Sequence, residues 1–236
     1  MGRRLVATDL VFTRRQVLGR LLAAGASCAL PGAAAAPATA AISSEAVNRR
    51  FSIYYKDARI GAHTVTHSAA GDGAGVRIAT TIEMTVKVLF FTAFAFAHQS
   101  EEIWRDGRLM SLKSVTVEDG ETTHVSGTAT AQGFRNVSNA LPFIAAPDAL
   151  TSNCLWSPDV LRQDTLIDAQ YGGVIGVSVR KLADERLALP GRTAGASRYR
   201  FITPYVAGSI WYDEAGRWVQ AAFERDGAFV EYRLDA

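Results

Sequence analysis

From residue 49 onward the chain alternates apolar and polar side chains with a period of two. That is the signature of half-buried β-strands, whose side chains point to opposite faces in turn. The clearest run puts Val76, Ile78, Thr80, Ile82, Met84, Val86 and Val88 on one face, against Arg77, Thr81, Glu83, Thr85 and Lys87 on the other. Such a run exceeds the usual strand of about five or six residues, and long strands in a meander predict a strongly curved sheet. Tight-turn sequences separate the runs: Asp72-Gly73, Asp106-Gly107, Asp119-Gly120 and Asp226-Gly227, with a further turn at Asp213-Glu214-Ala215-Gly216. Asp-Gly suits type I′ hairpins because both central positions need positive φ. The spacing predicts about a dozen strands, the first two being Phe51–Lys56 and Ile60–Ser68, turning near Asp57. A second set runs through Val174–Leu182, Arg186–Leu189, Ser197–Ile202, Ser209–Tyr212, Trp218–Glu224 and Phe229–Leu234.

The alternation lapses between Pro142 and Gly173, where Pro142, Pro147 and Pro158 break strands. Ser157 followed by Pro158 reads as an N-cap and first helical residue, so one short helix is expected near residues 158–163. A connection this long suggests a lid, a plug or a cover over an open end of the sheet. The expected fold class is all-β: a strongly curved antiparallel sheet or incomplete β-barrel over residues 49–236, after a short lead-in at 41–48.

The first 40 residues follow different rules. Arg3, Arg4, Arg14 and Arg15 precede an apolar run from Val17 to Leu30, and Ala38-Thr39-Ala40 fits a small-x-small cleavage site. A charged start, a short apolar stretch and such a site define a secretory signal. The run is too short for a transmembrane span of about 20 residues, so no stable transmembrane segment is expected after cleavage near Ala40. Thr13-Arg14-Arg15-Gln16-Val17-Leu18 resembles the twin-arginine translocation motif, which makes the twin-arginine translocase a partner during export and places the mature protein in the periplasm. An ordinary secretory signal with a chance arginine pair is the alternative. No cofactor follows from this route.

The leader distorts the composition. The whole chain has 25 Lys+Arg and 23 Asp+Glu. Without residues 1–40, which hold five arginines and one aspartate, 20 basic and 22 acidic side chains remain, a net charge of about −2. The basic character belongs to the leader, and no case for nucleic-acid binding survives. Of the two cysteines, Cys28 lies in the leader, in a poor setting for lipidation. Cys154 is left alone, so no intramolecular disulfide forms.

Candidate chemistry is sparse. His63 and His67 share a strand face, but four residues of strand separate them by roughly 13 Å, too far for one metal ion, and no metal site is expected. On the run Phe90–Trp104, one face carries Phe90, Phe94 and Phe96, then His98, Glu102 and Trp104; the other carries Phe91, Ala93, Ala95, Ala97, Gln99 and Glu101. An aromatic face that turns polar without changing sides suits a partly apolar cavity. His98 or Glu102 would need a cross-strand partner for acid–base work. No Gly-x-Ser-x-Gly, Ser-x-x-Lys or His-Glu-x-x-His motif is present, and Gly172-Gly173-Val174-Ile175-Gly176 precedes a strand, not the helix a phosphate loop requires.

With these residues in view, the chain resembles a family of exported proteobacterial proteins described only as a domain of unknown function. The resemblance rests on Ile60-Gly61-Ala62-His63, on His98-Gln99-Ser100-Glu101-Glu102-Ile103-Trp104-Arg105-Asp106-Gly107-Arg108-Leu109, on Trp156-Ser157-Pro158 and on Trp211-Tyr212-Asp213. Leu155-Trp156 stands where Tyr-Trp is expected, and Cys154 is atypical. The architecture is similar to periplasmic lipoprotein carriers, a curved sheet whose concave side short helices plug. The expected function is binding or carrying an apolar small molecule or lipid, with Phe90, Phe94, Phe96, His98, Glu102, Trp104 and Trp156 as candidate ligand-binding residues. Two alternatives stay open: an envelope enzyme using His98 or Glu102, and an assembly factor that binds an envelope partner.

Overall fold

A computed structural model describes residues 48–236 apart from 72, 89, 138–142 and 226; the leader, with Arg14 and Arg15, lies outside the described residues. The first half is a meander: β1 (Arg49–Tyr55), β2 (Ala58–Ala69), β3 (Val76–Val88), β4 (Phe91–Arg105), β5 (Arg108–Glu118), β6 (Glu121–Thr130), β7 (Gly133–Val137) and β8 (Phe143–Ala145). The last third is another: β12 (Ser178–Leu189), β13 (Arg192–Ile202), β14 (Ala207–Asp213), β15 (Trp218–Arg225) and β16 (Ala228–Leu234). Between them come β9 (Leu150–Thr151), β10 (Thr165–Ile167), β11 (Val174–Gly176) and two 3-10 turns, Cys154–Trp156 and Pro158–Arg162.

β16 pairs antiparallel with β1, from Phe51 opposite Leu234 to Tyr55 opposite Val230. That pairing joins both meanders into one 13-stranded sheet in the order β12-β13-β14-β15-β16-β1-β2-β3-β4-β5-β6-β7-β8. Its two end strands are not neighbours, so the sheet curls without closing. The all-β, barrel-like reading stands. Among the described residues the strand count rises to sixteen, in part because β9, β10 and β11 form a separate small sheet. The expected run Val174–Leu182 is split: Val174–Gly176 belongs to that small sheet, and the remainder joins the expected Arg186–Leu189 in one strand, Ser178–Leu189, with an irregularity between Lys181 and Asp184. The expected short helix is a 3-10 turn, begun by Ser157, whose Oγ accepts from the Asp159 N–H at 3.3 Å.

The hairpins follow the turn chemistry. Asp106 and Gly107 have φ of 49° and 75°, and Asp119 and Gly120 have 49° and 87°, as type I′ turns require. Curling, in turn, needs close strand approach. A Cβ on Gly61 would sit 1.8 Å from the Glu83 carbonyl oxygen across the β2–β3 ladder. On the same inner face, the Phe134 ring covers the bare Cα of Gly127, within 2.4 Å of where a Cβ would be.

Much of the segment 146–177 runs inside the curl, with 149–157 and 166–169 largely buried and Pro147, Arg162 and Asp164 exposed. Leu150, Cys154, Leu155, Val160, Leu166, Ile167 and Ile175 share one core with Phe51, Val65, Ile78, Trp104, Leu112, Trp218 and Phe223 of the sheet's inner face. This segment is therefore a plug, and the sheet is its casing. The crowding at Gly61 has a measurable consequence: Gly61→Ala should lower unfolding stability by about 1–3 kcal/mol in chemical denaturation, the cost of forcing a methyl into packed backbone.

Candidate functional site

Because the ladders keep register between the shifts at Val86/Lys87 and Ile103/Trp104, the inner face of β2–β6 falls into rows there. His63, Ile82, His98, Thr116 and Thr123 form one row. The next holds Val65, Thr80, Ser100, Ser114 and Val125; the next, His67, Ile78, Glu102, Leu112 and Gly127. On the other side of the His98 row lie Gly61, Met84 and Phe96. The aromatic-to-polar face of β4 thus points inward.

The polar rows grip the plug. Ser114 Oγ donates to the Ala169 carbonyl at 2.5 Å, and Thr116 Oγ1 to the Gln170 carbonyl at 2.9 Å. Since Thr116 spends its only proton there, it accepts from His98 Nδ1 at 2.9 Å. His98 Nε2 is then the bare nitrogen, and the Asn153 amide donates to it at 3.1 Å and to Ser100 Oγ at 2.8 Å. Burial holds His98 down to a pKa of about 4, so the neutral tautomer this network demands is the one present.

Glu102 is fully enclosed. Its Oε2 accepts from Trp104 Nε1 at 2.9 Å and its Oε1 from Thr151 Oγ1 at 2.7 Å. Burial nonetheless raises its pKa to about 7, overriding these bonds, which favour the ionised form. Thr151 Oγ1 also lies 3.3 Å from Cys154 Sγ. When Glu102 carries a proton, it donates to Thr151, whose hydroxyl turns to the sulfur. Burial pushes the Cys154 thiol well above its ordinary value, with Glu102 adding to the effect, so the thiol is no nucleophile at neutral pH.

Two cavities remain beside the plug. One, about 110 Å³, lies toward the end with the β1–β2, β3–β4 and β15–β16 hairpins and is lined by Ile82, Met84, Val86, Phe94, Phe96, Val230 and others. The second, about 120 Å³, is more polar, lined among others by His63, Ser152, Asn153, Asp168, Thr203 and Tyr205. Ile82, Gln170, Val206, Phe223 and Tyr232 line both, so the two are neighbouring lobes.

The seven expected site residues divide three ways. Phe94 and Phe96 line the apolar cleft. His98, Glu102 and Trp104 are buried among the plug's fastenings, with the Trp104 and Trp156 rings edge to face at 5.9 Å; none of these four lines either cavity. Phe90 is the correction: it lies in the β3–β4 turn, 97% exposed. The register shifts at Val86/Lys87, so Lys87 faces Thr92 and Val88 faces Phe91, and the parity that put Phe90 beside Phe94 does not hold across that shift. His98 and Glu102 do find partners, but these are polar groups that hold the plug, and acid–base work would have to dismantle it. Sequence reasoning missed Tyr232, Phe223, Gln170 and Asn153 as lining residues. It weighed His63 only as a metal ligand; its 3% exposure could not be read from a strand pattern.

The family model described as Domain of unknown function (DUF6134) matches residues 51–235, and the chain belongs to that family. No curated protein matches. Among solved structures, the chain is similar to a beta-barrel-like protein of the domain of unknown function DUF1849 from Brucella abortus. The TM-score is 0.56 at 10% identity, covering 80% of this chain and 94% of that one, which establishes a shared fold.

The raised Glu102 pKa sets a sign. An unfolded glutamate ionises near 4.5 and the folded one near 7. Its contribution is therefore intact below pH 4.5 and lost as pH rises to about 7, by up to roughly 3 kcal/mol. Glu102→Gln, a mimic of the protonated acid, should be as stable as the parent at pH 4.5 and more stable at pH 8, read by denaturant midpoints across that range.

Proposed function

We propose that this member of the DUF6134 family is an exported periplasmic protein that holds an apolar, lipid-like ligand in its interior. One observation carries the reading. Protein interiors pack to the density of organic crystals, yet Phe94, Phe96, Ile82 and Val86 surround an unfilled apolar cleft of about 110 Å³. An engineered apolar cavity of about 150 Å³ takes up benzene, whereas drug-sized ligands occupy about 300–1,000 Å³. The occupant is accordingly slender: one alkyl or acyl chain. A two-chain lipid would require the plug to move.

The leader supports the export half of the proposal. A charged start, a short apolar stretch and Ala38-Thr39-Ala40 precede the domain, and Arg14-Arg15 addresses it to the twin-arginine translocase. The domain suits an oxidising compartment, because its one cysteine is buried and its thiol stays protonated.

Organic extraction of protein purified without detergent should release a single-chain apolar molecule at near-stoichiometric amount, identified by mass spectrometry. Met84→Trp, which puts an indole into the cleft from a half-buried position, should weaken uptake of an apolar fluorescent probe at least about tenfold, or ~1.4 kcal/mol, without lowering the melting temperature. Equal uptake by both proteins would remove the cleft as the site.

Export has its own test. The periplasmic fraction should yield a mature protein beginning just after Ala40, and Arg14→Lys with Arg15→Lys should leave the precursor uncleaved in the cytoplasm. Processing unaffected by the lysine pair would point to the general secretory route.

A further inference from the structure

The more polar lobe contains a side chain whose chemistry the fold does not use. His63 is 3% exposed, and neither ring nitrogen has a hydrogen-bond partner. It lines the polar lobe, while its ring packs against Phe51, Trp218 and Tyr232, centroids 6.3, 5.2 and 5.8 Å away, at steep interplanar angles. A buried imidazole without partners is costly, and buried polar groups are nearly always satisfied. His98, two strands along the same row, has both nitrogens engaged. The contrast between these two histidines singles out His63.

We propose that His63 is the head-group subsite of the bound molecule, and that the ligand is a single-chain amphiphile with an uncharged, hydrogen-bonding head, such as an alcohol. The inference rests on the carrier reading and narrows it. The tail lies against Phe94 and Phe96, and the chain passes Ile82 and Tyr232, which line both lobes. The head reaches the imidazole, which offers one N–H donor and one bare acceptor and so matches a hydroxyl, itself donor and acceptor.

Charge selects against an anion. Among the described residues the lobe's lining includes the Asp168 carboxylate but no lysine or arginine, and burial keeps His63 neutral, with a pKa of about 3. A carboxylate or phosphate head would enter without a counter-charge, a cost well above that of burying a hydroxyl.

The probes are 1-decanol, decane and decanoate, each titrated into the delipidated protein by competition with an apolar fluorophore. Decanol should bind about fivefold to tenfold more tightly than decane, the worth of one good hydrogen bond, and decanoate should bind most weakly at pH 7. In His63→Phe the preference for decanol should vanish while decane binding persists. In the parent, the ¹⁵N signals of the His63 ring should shift on adding decanol and stay in place with decane; this readout stands even where His63→Phe fails to fold. Equal binding of decane and decanol with unmoved ring signals would mean that His63 meets at most water, overturning the subsite while leaving the carrier reading intact. Binding of none of the three would overturn both.

Discussion

A curled sheet that swallows a stretch of irregular chain must satisfy that chain's backbone. Residues 149–157 and 166–169 bring carbonyls and N–H groups into the buried interior, and each unmet group there would cost on the order of 1–3 kcal/mol. The inner face therefore cannot be uniformly apolar. Ser114 and Thr116 spend their protons on the Ala169 and Gln170 carbonyls. Glu102 and Ser100 hold Thr151 and Asn153. From the opposite wall, Tyr212 donates to the Leu155 carbonyl at 2.8 Å. The band of hydroxyls and acids across the middle of an otherwise apolar lining is the sheet's answer to the plug.

That constraint also explains why a cleft exists where it does. The plug turns back at Asp168–Gly173: Asp168 Oδ1 accepts from the Gln170 and Tyr171 N–H groups, and Gly172 and Gly173 take φ of 80° and 102°. The turn is anchored at the level of Thr116 through Gln170, and Tyr171 Oη donates to Glu118 in the Phe96 row. Phe94 and Phe96 belong to the part of the casing that the plug only partly fills: their rings stack on each other, 6.4 Å apart, Tyr171 packs against their cluster, and Gln170 lines the cleft beside them.

Much of this was legible in one dimension because strands obey a short-range rule. Period two sorted the side chains of β3 and β4 into two faces, and Asp-Gly pairs marked the hairpins, since local sterics decide both; which face of β4 points inward was not legible. The change from Phe96 to His98 and Glu102 on one face was visible for the same reason. What failed was whatever depends on long-range contact. Phe90 was assigned by parity, but a register shift four residues away moved it to a turn. His98 and Glu102 read as polar rim residues, with acid–base work as the lesser alternative, until Asn153 and Thr151, some fifty residues on, took their hydrogen bonds. The joining of β16 to β1 left no local trace, and without it His63 has no Trp218 or Tyr232 to bury it.

The ionisable groups of the interior share one further property. Burial drives His63 and His98 down and Glu102 up, in each case toward the uncharged form. Opposite shifts with a common result are what a low-dielectric space produces when no counter-ion is built into it. An enzyme site usually separates the pKa values of neighbouring groups so that one holds a proton while the other is charged. Here the environment disfavours charge on all three, while several hydrogen-bonding positions stay engaged with the plug. Such an interior favours neutral groups that meet it by shape and by hydrogen bonds, which is why the proposed carrier reading assigns it an uncharged guest.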